Sequence, residues 1–97
     1  MSGGDSWLVG VAAGVGQPFV GEVAIKSTLL DAIRESIAFV EDSVGVASDP
    51  FMRGRGELII SLHVLERTVD TQSVLFSVAA FSLRDGRYLI IKRGSRQ

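Results

Sequence analysis

The chain has 97 residues, 46% of them hydrophobic and 22% charged, with a net charge of −1 and no cysteine. This balance is that of one folded domain: disorder goes with low hydropathy and high net charge, and roughly two-thirds of the extended-chain surface can be buried at this size. Lack of cysteine excludes disulfide staples, thiolate zinc or iron–sulfur sites and a cysteine nucleophile.

The opening segment, Met1 to Pro18, has no basic n-region of a secretory leader, and its apolar part is cut by Gly10, Gly14 and Gly16. No run approaches the roughly 18 apolar residues of a spanning helix, so the expectation is a soluble cytoplasmic protein with no membrane partner. Ser6 to Ala13 reads as a strand, Gly14 to Pro18 as a turn, and Phe19 to Lys26 alternates as a second strand, giving an N-terminal hairpin.

Ser27 or Thr28 can cap the helix that follows, with Asp31 in its first turn, where a carboxylate meets the positive end of the helix dipole. Leu30, Ile33, Ile37, Val40 and Val44 recur at helical spacing, and Asp31, Arg34, Glu35, Glu41 and Asp42 fall off that stripe. The segment Gly45 to Gly56, which contains Arg53 and Arg55 between single glycines, reads as a long connection and hinge. Three strand-like runs follow, Glu57 to Thr68, Ser73 to Leu83 and Arg87 to Arg93, the last two joined by an Asp85-Gly86 turn. The expected fold is therefore α+β, a mainly antiparallel sheet with one amphipathic helix in the order ββαβββ, ending in a three-stranded meander.

With Arg84 set opposite Arg87, Leu58, Ile60, Leu62 and Val64 share a face with Leu75, Ala79, Phe81, Leu83, Tyr88 and Ile90, and this face carries the helix. The other face collects Ile59, Ser61, His63, Leu65 and Arg67 with Val74, Phe76, Val78, Ala80, Ser82, Leu89 and Ile91. It is too apolar for water. Either the N-terminal hairpin folds over it or a second subunit does, and the second is favoured: a homo-oligomer with Phe76, Val78, Leu65, Leu89 and Ile91 at the interface.

Motifs for chemistry are few. His63 is the weak catalytic candidate, with Ser61 on the same face of the expected strand, but there is no nucleophile elbow and no evident orienting acid. A single histidine without cysteine argues against a metal centre, and no cofactor is expected. Gly14 to Gly21 fails the dinucleotide fingerprint, because Phe19 occupies the third glycine position and Pro18 opposes a helix there. The carboxylate pairs Glu41–Asp42 and Asp31–Glu35 read as solvated helix residues.

Charge is uneven: residues 1 to 50 carry seven acidic against two basic side chains, and residues 51 to 97 eight basic against four acidic. Arg53, Arg55, Arg84, Arg87, Lys92 and Arg93 are thus candidates for binding nucleic acid or a phosphate-bearing ligand, provided that folding gathers them. The run Val78 to Gly94 resembles the opening strand pair of Nudix hydrolases, an apolar strand, an Asp-Gly turn and a basic-ended strand. That family's metal-binding glutamate box does not occur in these residues, so no site is carried over and no family is assigned. The leading functional expectation is a non-catalytic assembly or interaction domain. The alternatives are anion or nucleic-acid binding through the basic loops, and a small oligomeric enzyme whose subunit-interface site recruits His63, Ser61 and Arg67.

Overall fold

A computed structural model describes residues 6–44, 52–83 and 85–94. The elements are β1 (Ser6–Ala12), β2 (Phe19–Lys26), α1 (Leu29–Val44), α2 (Met52–Asp70), β3 (Val78–Ser82) and β4 (Tyr88–Gly94). The α+β class and the antiparallel sheet are as the sequence predicts. The order is ββααββ, however, because the run expected as the third strand is a helix.

Residues 57–68 fit both periods, since their apolar positions are so dense. Alternation groups Leu58, Ile60, Leu62 and Val64; the helical period groups Leu58, Leu62, Leu65 and Val69. The structure buries Leu58 and Leu62 and packs Leu65 and Val69 against the core, leaving Ile60 and Val64 63% and 58% exposed. Length favours this outcome: twelve residues, three of them leucine and two glutamate, suit a helix better than a strand of about five or six. Arg53-Gly54-Arg55-Gly56 is not a hinge before a strand but part of the beginning of α2.

Local signals end the helices. The Asp31 backbone N–H donates to Thr28 Oγ1 at 3.1 Å, so Thr28 is the N-cap of α1. At the end of α2, Gln72 takes the left-handed conformation (φ 62°), its N–H donating to Val69 O, while Ser73 N–H reaches back to Thr68 O. This is a Schellman closure made without glycine.

The sheet order is β2-β1-β4-β3, antiparallel throughout. The N-terminal hairpin does not fold over the C-terminal strands; it extends their sheet, β1 pairing with β4 from Ser6 opposite Gly94 to Ala12 opposite Tyr88. Trp7, Val9 and Val11 of β1 and Leu89 and Ile91 of β4 point to one face. There they form a single core with Ala32, Ile33, Ile37 and Val40 of α1 and Leu58 and Leu62 of α2. Ser36, buried among them, satisfies its hydroxyl by donating to Ala32 O at 2.9 Å. Among the described residues no helix is long and apolar enough to cross a membrane.

The two leucine-rich readings of residues 57–68 differ measurably. Leu62→Ala is expected to cost about 2–5 kcal/mol, as a buried truncation does, whereas Ile60→Ala stays within about 0.5 kcal/mol. Chemical denaturation of both variants checks this. Equal losses would sink the helical assignment.

Candidate functional site

The first surface of interest is the face of the sheet opposite the helices. Side-chain alternation directs Leu8, Gly10 and Ala12 of β1, Ile25 of β2, Tyr88, Ile90 and Lys92 of β4, and Val78, Ala80 and Ser82 of β3 toward it. Both described helices pack on the other side. Phe19 lies across Gly10: a Cβ there would stand 2.5 Å from the ring, so only glycine admits this close approach. The Lys92 ammonium sits 5.0 Å from the centroid of the same ring. Toward the two edge strands the face is bare, with Ile25 67% and Val78 52% exposed.

Of the interface residues predicted from sequence, only Val78 lies on this face. Leu89 and Ile91 are fully buried under the helices. Leu65 packs from α2 against the core. Phe76 meets Trp7 with ring centroids 6.1 Å apart, tilted by 58°. The hairpin explains the inversion. Leu83 N–H donates to Arg87 O at 2.7 Å, so Leu83, not position 84, pairs with Arg87, and three residues separate them. Gly86 takes φ +89° to close the turn. Such a three-residue loop shifts the register by one relative to a two-residue Asp-Gly turn, and one residue moves every side chain of β4 to the opposite face. Tyr88 and Ile90 take the places assigned to Leu89 and Ile91.

The predicted catalytic pair separates. On a helix, positions 61 and 63 diverge by about 200°, so Ser61 and His63 face apart. His63 is exposed, its Nδ1 3.9 Å from Glu66 Oε1, and Glu66 Oε2 accepts the Arg34 Nε–H at 2.9 Å. The Arg34–Glu66 contact ties α2 to α1. Among the described residues no group of three or more His, Asp or Glu could hold a metal ion.

The basic residues do not gather where they are described. Lys92 and Arg93 are neighbours on one strand and therefore point to opposite faces; Arg93 stacks over Trp7 with its guanidinium carbon 4.9 Å from the ring centroid. Arg87 grips Asp85 instead, with Nη2 and Nε 2.6 and 2.7 Å from Oδ2. Arg84 and the side chains of Arg53 and Arg55 lie outside the described residues.

A second feature is an open cleft of about 620 Å³ between α1 and the β1–β2 side of the sheet. Its walls are mostly apolar, Val9, Val11, Val20, Phe39 and Leu89 among them, with Glu22, Glu35 and Arg87 as the charges. Two of these charges are already answered, Glu35 by Lys26 at 3.2 Å and Arg87 by Asp85. Sequence reading missed this cleft, because it depends on an irregularity between Val9 and Val11 where β2 carries extra residues and Gly21 turns to φ +80°. The glycine at position 21 was the available signal.

Comparison with protein-family models, with curated proteins and with solved structures finds no match to this chain, so its surfaces are read from their own geometry.

The hairpin pair sets a pH dependence. The hydrogen bond from the Arg87 guanidinium, followed by that from its backbone N–H, holds Asp85 below its ordinary carboxylate range, and Asp85 in turn raises Arg87. A depressed acid contributes above its unfolded pKa and loses that contribution as pH falls through its folded pKa. Asp85 is therefore expected to titrate below the ordinary range of an aspartate. Carboxyl-carbon NMR checks this, and Arg87→Gln should return the midpoint to the ordinary value. An Asp85 midpoint that ignores this substitution would show that the pair does not form in solution.

Proposed function

We propose that the protein is a small non-catalytic assembly module that stacks the helix-free face of its sheet against the same face of a second copy. The observation that carries this reading is the placement of both described helices on one side of the sheet while the other side is also apolar, with Ile90 buried at its centre and Ile25 and Val78 exposed toward its edges. An antiparallel sheet that meets water on one side ordinarily alternates polar residues onto it. Here the described charge on that face is Lys92, which lies over the Phe19 ring.

Two further features support a second copy as the occupant. The N-terminal hairpin, the one segment of the chain expected as a lid, is consumed as β2 and β1 of the same sheet. Self-stacking about a two-fold axis also brings like apolar surfaces together, in the aligned geometry that sheets adopt about 10 Å apart. The described basic groups, with Arg87 committed to Asp85 and Lys92 and Arg93 on opposite faces, give no comparable support to anion binding.

Ile25 belongs to the edge strand β2, is mostly exposed and takes no part in the core, so Ile25→Glu tests the face without unsettling the fold. Light scattering at micromolar concentration is expected to show the substitution halving the mass of the assembly, with an unchanged circular dichroism spectrum. An unchanged mass would defeat the stacked interface.

A further inference from the structure

We propose that β3 is a second self-association element: its free edge pairs antiparallel with β3 of another copy about a two-fold axis at Ala80, joining two four-stranded sheets into one. The proposal extends the assembly reading but uses a different surface from the stacked face.

The backbone supplies the first argument. Arg93 N–H donates to Ser77 O and Leu83 N–H to Arg87 O, which fixes the odd-numbered residues of this strand as those that exchange hydrogen bonds with β4. The N–H and C=O groups of Val78, Ala80 and Ser82 consequently point the other way, toward the outer side of β3, where the sheet order places no further strand. With Ala80 opposite its own copy, Val78 stands opposite the partner's Ser82 and both outer pairs repeat by symmetry. All three outward residues then fall on hydrogen-bonded positions, giving about six backbone bonds. A centre at Ala79 or Phe81 keeps only about four of these bonds within the strand, and a centre between residues sets outward groups against inward ones and loses them.

Side chains fit the same axis. The central pair is Ala80 against Ala80, which leaves room for close approach, and Ala79 stands opposite the partner's Phe81. From Thr71 to Leu83 there is no charged residue, no glycine and no proline, so two copies meet without like-charge repulsion. Leu75, just before the strand, is 98% exposed. Natural edges are usually blunted by charge, proline or a bulge. The opposite edge is blunted in this way: β2 carries an irregularity at Gly21 and the charges of Glu22 and Lys26. One open edge and one closed edge produce a finite two-fold pair, not a growing sheet.

Proline at position 80 gives a selective test, since the N–H it removes points outward and has no role in the β3–β4 ladder. In the Ile25→Glu background, where the stacked face is disabled, light scattering is expected to give a dimer. Adding Ala80→Pro should halve that mass, and the Val78 and Ser82 amides should then exchange on the order of tenfold faster while Ala79 and Phe81 remain protected. Ala80→Lys, which sets two ammonium groups opposite each other at the axis, provides the same test should the proline disturb the strand. Equal dimer masses for the wild type and Ile25→Glu would defeat the stacked face and support the edge. A monomeric Ile25→Glu protein would overturn the edge pairing, and the stacked face would stand only if the wild type is then a dimer; Val78 and Ser82 amides that exchange in the assembly as fast as in the monomer would overturn the edge pairing as well.

Discussion

Pairing of β1 with β4 joins residues from opposite ends of the chain, Ser6 with Gly94 and Ala12 with Tyr88, and the rest of the architecture depends on it. The closure entropy of so long an intervening segment grows only logarithmically with its length, and the return is two central strands with neighbours on both sides. Val9 beside Ile91 and Val11 beside Leu89 make the apolar floor on which α1 rests. With β1 and β4 in the centre, β2 and β3 become the edges, and the helical segment between β2 and β3 packs on one side of this floor.

From that asymmetry come the surfaces available for function. Trp7 and Phe19 lie on opposite faces, and the adjacent cations Arg93 and Lys92 each settle over one of them. Two residues that look like part of a basic tail in sequence thus become covers for aromatic rings on two different surfaces. Each such contact is a modest stabilisation of about 0.5–1 kcal/mol where exposed. The helix layer is closed by similar means, with Glu66 holding Arg34 of the neighbouring helix. Among the described residues, what stays exposed is the outer side of β3 and, on the helix-free face, Ile25 and Val78.

Much of the fold was legible because local chemistry set it. The N-terminal hairpin, its glycine turn, the Thr28 cap and the apolar stripe of α1 each rest on residues within a few positions of one another. The second helix was hidden for a definite reason: a segment as apolar as Leu58 to Leu65 satisfies a period of two and a period of 3.6 alike, and only packing chooses between them. The candidate site was less legible. That the sheet carries apolar residues on both faces could be anticipated, but which residues of β4 lie on each face turned on one residue in the turn between Leu83 and Arg87, and the outer edge of β3 required the strand order.

By itself, then, the sequence determined the α+β composition, the first hairpin, the capped amphipathic helix, the absence of cysteine chemistry and the surplus of apolar strand surface. These follow from composition and short-range periodicity, which act before any long-range contact forms. Only the tertiary structure decided that residues 57–68 are helical, that β1 inserts beside β4, and which face Leu89 and Ile91 occupy. Each of those outcomes is a choice between locally equivalent alternatives, and such choices are made by the non-local burial that one arrangement completes and the other does not.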